Sequence, residues 1–109
     1  MYVGSSDKDA WAGPPAEFAS AKLASPVWNL YGKKGLEGKD FPAEPFTAYL
    51  DGDVGYHLNK GPHQLNAYDW KNYLDFAAAH GWTMLLHLGA LRETSARLRA
   101  AAGPAGGFA

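Results

Sequence analysis

Two short strand-like segments, residues 1–6 and Asp53–Leu58, most constrain how this chain can fold, because each gives way to turn residues and then to helix-forming sequence. Strands that alternate with helices run parallel in one sheet, since the intervening helix returns the chain to the edge it left. Two strands do not make a stable parallel sheet by themselves. The expected class is therefore α/β, with the strands needing further partners. Met1-Tyr2-Val3-Gly4-Ser5 opens directly on strand-like residues, with neither the basic start nor the long apolar run of a secretory signal. A domain rarely begins on such a strand, so the reading expects further sequence upstream.

Between the strands, the polar turn Ser6-Asp7-Lys8-Asp9 precedes Pro14-Pro15, which can open a helix because its first turn needs no N–H donors. Phe18, Ala21 and Leu23 are the expected buried face. Ser25-Pro26 repeats the pattern of a serine cap followed by proline, predicting a second short helix with Val27, Trp28, Leu30 and Tyr31 that Gly32 ends. Residues 32–52 are rich in Gly, Pro and charge and are expected to form one long loop, of the kind that usually has a function. After the second strand come Asn59-Lys60-Gly61-Pro62 and His63, and then the clearest helix. Asn66 is its expected cap, Tyr68, Trp70, Tyr73, Leu74 and Ala77 its apolar positions, and Gly81 its stop.

Composition changes abruptly near residue 82. All seven lysines lie at or before Lys71, all three arginines follow residue 90, and the four tryptophans and six tyrosines end at Trp82. The chain thus divides into residues 1–82 and an Ala/Leu/Arg/Gly-rich tail, 83–109, which could be helical to about residue 102. Met84, Leu88, Leu91 and Leu98 stand near heptad spacing, but the run is too short for a coiled coil. An unrelated extension or a reading-frame shift near residue 82 would give the same switch. A formal net charge of −1 gives no electrostatic reason to expect nucleic acid or an anionic membrane as partner. No apolar run reaches the length of about 18 residues that a membrane span needs, and without cysteine there are no disulfides or thiolate metal sites.

Four histidines are the main candidates for chemistry: His57, His63, His80 and His87. His63 sits in a Lys-Gly-Pro-His loop between strand and helix, where α/β folds place reactive groups and where an accessible imidazole can act as general base. His57 lies within a strand and reads as a core histidine, while His80 stands near a helix C-terminus, where a structural role suffices. A metal site combining His57, His63 and Asp51 or Asp53 would match no known ligand spacing. Asp7 and Asp9 follow the first strand. Either could orient a histidine ring, and both equally suit local turn bonding. The chain order of an acid and then a histidine matches that of α/β-hydrolases, but none of the five serines lies in a G-x-S-x-G elbow. Without a nucleophile, covalent ester hydrolysis is not possible.

Several segments in the right order carry a family resemblance. Ala24-Ser25-Pro26-Val27-Trp28 through Gly32-Lys33-Lys34-Gly35-Leu36 resembles bacterial glucuronoyl esterases of carbohydrate esterase family 15, often labelled acetyl xylan esterase-like. So do Gly55-Tyr56-His57-Leu58, Lys60-Gly61-Pro62-His63, Tyr68-Asp69-Trp70 and Tyr73-Leu74-Asp75-Phe76-Ala77, and, near the start, Asp9, Trp11 and Glu17-Phe18. The resemblance covers roughly residues 2–82 and implies the C-terminal portion of an α/β-hydrolase fold, its last core strands and helices, followed by a non-family tail. It implies a serine carboxylic-ester hydrolase acting on glucuronoyl esters of xylan, with His63 as general base, Asp9 as an acid after the seventh strand and Trp11 facing the sugar. Many members place the acid instead on a glutamate after the preceding strand. A core position for Trp11 is the alternative.

The leading expectation is thus a fragment of a carbohydrate esterase, inactive alone. A self-standing carbohydrate-binding or interaction module using Trp11, and a small hydrolase with an unusual nucleophile, are the other readings. The implied partner of the parent enzyme is a plant cell-wall polysaccharide ester, glucuronoxylan, with no cofactor or metal, and its implied location is secreted or periplasmic.

Overall fold

The computed structural model describes residues 1–82. The expected helix over 83–102, His87 and the rest of the tail lie outside the described residues. Three strands form one sheet: β1 (Tyr2–Ser6), β2 (Thr47–Tyr49) and β3 (Gly55–Asn59), in the order β1-β3-β2. β1 pairs with β3 in parallel, from Tyr2 opposite Gly55 to Ser6 opposite Asn59. This is the expected pairing. β2 is a correction: it arises inside the expected 32–52 loop and pairs with β3 antiparallel, Thr47 opposite Leu58, so the sheet is mixed. Three residues directly after Pro45-Phe46 are too short to register an alternating pattern.

β3 is the middle strand, and all five of its residues are buried, as a strand covered on both faces requires. Its alternation divides the molecule. Tyr56 and Leu58, with Val54 just ahead of the strand, pack with Phe18, Ala21 and Leu36 beside helix α1 (Pro14–Ala24). Gly55, His57 and Asn59 turn the other way, toward helix α3 (Ala67–Ala79), where Tyr2, Tyr73 and Phe76 lie close. Helices on both faces of a sheet are the α/β arrangement the sequence predicts.

Within α1 the buried stripe is Pro14, Phe18 and Ala21, at helical spacing. Leu23 does not belong to it. Two residues beyond Ala21, it lies more than half a turn round the helix and is 80% exposed. Ser25 is a second correction. Its backbone stays helical between α1 and helix α2 (Pro26–Asn29), and its hydroxyl makes no N-cap bond to α2. Instead, Ser25 Oγ donates to the Ala21 carbonyl at 3.0 Å and accepts the Leu36 N–H at 2.8 Å, fully buried. The hydroxyl therefore ties the long loop to the core. Ser25→Ala leaves the buried Leu36 N–H unpaired, at an expected cost of about 1–3 kcal/mol. Urea unfolding checks this, and an unchanged midpoint would show that the bond carries no weight.

In α3 the cap is as expected: Asn66 Oδ1 accepts the Tyr68 N–H at 2.9 Å, and Asp69 reaches back to the Asn66 N–H at 2.7 Å. The buried face is not the apolar stripe. It is Asp69, Asn72 and Phe76, while Trp70 and Leu74 stand half-exposed. Polar groups occupy this face because each is hydrogen-bonded there.

Candidate active site

The loops that follow β1 and β3 leave the same end of two neighbouring parallel strands, so they meet beyond the sheet's C-terminal edge. Backbone bonds lace them together. Asp7 N–H donates to the Asn59 carbonyl at 2.9 Å and Lys8 N–H to that of Gly61 at 3.1 Å, while Gly61 N–H donates to Asp7 Oδ1 at 2.7 Å. Gly61 adopts φ +121°, a conformation that favours glycine, and lets the chain turn sharply before Pro62 and His63.

This lacing brings together two residues 54 apart in sequence: His63 Nδ1 lies 2.6 Å from Asp9 Oδ2. A carboxylate only accepts, so Nδ1–H is the donor, and in the neutral ring Nε2 then carries the free lone pair. The Asp9 side chain is largely buried in its turn, where Oδ1 also accepts the Ala12 N–H at 3.3 Å. The His63 side chain is 83% exposed. One ring nitrogen is therefore held and the other presented. Beside the pair lies a cavity of about 460 Å³, whose lining includes Ser5, Ser6, Asp9, Glu17, His63 and Asp69.

Trp11 is 96% exposed, which removes it from the core. It does not line the His63 cavity. Two of the serines do, but Ser5 Oγ donates to Glu17 Oε2 at 2.6 Å and is thereby engaged away from the imidazole.

His57 is a core histidine with both nitrogens occupied. Its Nε2–H donates to Asp69 Oδ1 at 2.8 Å, and its Nδ1 accepts the Tyr2 hydroxyl at 2.8 Å. Burial pushes the Tyr2 phenol far above its usual range, keeping it a donor. Burial also holds His57 below its ordinary pKa of 6.5, with Asp69 pulling the other way. Below pH 6.5 the unfolded chain therefore binds a proton that the folded chain resists, so this contribution is complete above 6.5 and is lost as the pH falls. Stability should decline from pH 7 toward pH 5, by at most about 1.4 kcal/mol per pH unit for this single proton. Urea titrations across that range read it, and His57→Gln should flatten the slope; an equal slope in that variant would refute the assignment.

His80 donates from Nδ1 to the Phe76 carbonyl at 2.8 Å and stacks on the Phe76 ring. Among the described residues no three His, Asp or Glu side chains gather as a metal site would need; His57 and His63 are held by different carboxylates. The sequence reading missed Asp69 and Glu17 as members of this region. Asp69 was legible as the partner of Asn66 in a capping box, but nothing local tells that its second oxygen serves a buried histidine.

No family profile matches the chain. Individual relatives do. Carbohydrate esterase MZ0003, from an unknown prokaryotic organism, is 38% identical over 80 residues, which are 73% of this chain and 18% of that protein. The solved glucuronoyl esterase from Solibacter usitatus is 44% identical with a TM-score of 0.65, over 72% of this chain and 19% of that one. A promiscuous CE15 esterase from the marine bacterial metagenome is 38% identical with a TM-score of 0.66, again over 72% of this chain and 19% of that one. The chain thus spans less than a fifth of the length of these relatives. Its sequence and its fold together follow those of carbohydrate esterase family 15 enzymes through most of its own length.

Proposed function

We propose that residues 1–82 form the C-terminal, histidine-bearing part of a serine carboxylic-ester hydrolase for glucuronoyl esters of plant cell-wall polysaccharide, and that this chain alone does not hydrolyse esters. The observation that carries the reading is the 2.6 Å bond from His63 Nδ1–H to Asp9 Oδ2 beside an open cavity. It sets the tautomer in which Nε2 can take a proton.

In the assembled enzyme a serine from the remainder of the fold attacks the ester carbonyl while its hydroxyl proton passes to His63 Nε2. The tetrahedral intermediate collapses, the C–O bond to the alcohol breaks, and His63 returns the proton to the leaving oxygen. Water then attacks the acyl-serine, giving one proton to His63, and the serine recovers it as the acid leaves. Asp9 accepts throughout and stabilises the imidazolium between transfers. The nucleophile and the groups that stabilise the oxyanion and bind the uronate are supplied by segments outside these residues.

The test is a chimera in which residues 1–82 replace the matching segment of the Solibacter usitatus enzyme. Hydrolysis of a glucuronate ester by the chimera, with none by the 109-residue chain alone, is the expected pair of results. A folded but inactive chimera would reject the reading.

The exposure of Trp11 favours a second reading, a carbohydrate-binding module, because an open indole can stack on a pyranose. That reading predicts that the isolated chain binds xylan oligosaccharides with a change in tryptophan fluorescence that Trp11→Ala abolishes. It is rejected if wild type gives no such change.

A further inference from the structure

The loop from Lys60 to Leu65, which carries His63, has one residue fixed at each end. Asn59 closes β3 and Asn66 caps α3. A single carboxylate holds both. Asp69 Oδ2 accepts the Asn59 side-chain N–H at 2.7 Å and the Asn66 backbone N–H at 2.7 Å. Asn59 passes the restraint into the loop, since its Oδ1 accepts the Lys60 N–H at 2.8 Å. The other oxygen of Asp69 accepts from His57 Nε2, and His57 in turn accepts from Tyr2 on β1. Asp69, His57 and Asn59 are all buried, at 2%, 0% and 0% exposure.

We infer that Asp69 is a positioning residue for His63: its carboxylate clamps the two ends of the catalytic loop and anchors them, through His57 and Tyr2, to the strand that leads to Asp9. The inference rests on His63 being the general base, and it accounts for a buried ionisable pair that the transfer of protons at His63 does not use. Here the carboxylate meets three donors, His57 and Asn59 from β3 and Asn66 from the cap of α3, and the last two bracket the loop. With buried groups on every side, losing the acceptor leaves three donors unsatisfied at once, which is why the effect concentrates on the loop.

An amide can replace the carboxylate only in part, because it has one oxygen for three donors. In Asp69→Asn the oxygen can keep Asn59 and Asn66 if the amide nitrogen turns to His57 Nε2. His57 must then invert its tautomer and donate from Nδ1 to the Tyr2 oxygen. Asp69→Ala offers no acceptor at all.

The experiment is NMR on the full 109-residue chain, comparing wild type, Asp69→Asn and Asp69→Ala. Long-range ¹H–¹⁵N spectra read the tautomers of His57 and His63, and amide exchange reads Gly61, Lys8 and Asn66. The expected result is a His57 tautomer inverted in Asp69→Asn with the loop amides still protected. In Asp69→Ala those amides exchange about tenfold faster or more, while Tyr56 and Leu58 in β3 are unchanged. Loop protection in Asp69→Ala equal to wild type overturns the inference. If Asp69→Ala does not fold, Asn59→Ala decides: faster exchange confined to the loop supports the clamp, and wild-type exchange overturns it. No readout depends on turnover, so a failure here is distinct from a failure of His63 as base, which only the chimera's activity can reveal.

Discussion

His63→Ala, made in the esterase chimera, should lower kcat by about a thousandfold or more, with KM little changed. Loss of a general base alone removes about 10²–10⁴ in rate, and a serine without its base loses its activation as well. The variant should fold normally, because the His63 side chain is exposed and donates a single bond. Asp9→Asn separates two arrangements of the triad. If Asp9 is the orienting acid, an amide in its place can present a donor to Nδ1 and favour the wrong tautomer, with a loss approaching that of His63→Ala. If a glutamate elsewhere in the assembled fold holds the ring, the loss is tenfold or less. Wild-type kcat in His63→Ala would remove this residue from the chemistry altogether.

The largest structural effect is expected from the smallest substitution, Gly4→Ala. A Cβ at Gly4 would stand 2.6 Å from His57 Cε1, 2.8 Å from His57 Nε2 and 2.6 Å from the Tyr73 hydroxyl oxygen. Neither ring can give way easily. His57 is held at both nitrogens, and β1 cannot retreat because Gly4 sits mid-strand, opposite His57 in the parallel ladder. Overpacking of this kind costs about 1–3 kcal/mol or more, a large share of what holds a small domain together. We expect Gly4→Ala to lower the urea midpoint more than Ser25→Ala does and to disturb the His57 signals. A midpoint equal to wild type would mean that the sheet accommodates a methyl group that its geometry excludes.

How much of this was legible in the sequence follows the distance over which each feature is determined. The cap at Asn66, the proline opening of α1 and the strand-like residues on either side of Gly4 and Gly55 are local, and short-range chemistry reveals them. β2 was not legible, because three half-buried residues owe their strand geometry to β3 rather than to any pattern of their own. Leu23 and Leu74 misled for a related reason. Apolar character marks a residue as able to be buried, and both stand well exposed among the described residues. The buried face of α3 reads as polar because Asp69 and Asn72 are satisfied by groups that only the tertiary fold brings near.

The site shows the same division. His63 and Asp9 stand out because each follows a strand, and parallel strands deliver their C-terminal loops to one edge. Trp11 enters as a sugar-facing residue through the family resemblance; it stands exposed and does not line the cavity beside His63. The role of Asp69 depends on three contacts spread over elements from β3 to α3, and spacing in the sequence cannot report it.

In the proposed enzyme Asp9 holds His63 with the proton on Nδ1, and the ring presents Nε2 for proton transfer. A long-range ¹H–¹⁵N spectrum of the chain, taken at a pH where the imidazole is neutral, measures this directly. The expected result is a single His63 tautomer with Nδ1 protonated and Nε2 bare, lost in Asp9→Ala. A His63 ring protonated on Nε2, or one indifferent to Asp9, would contradict it.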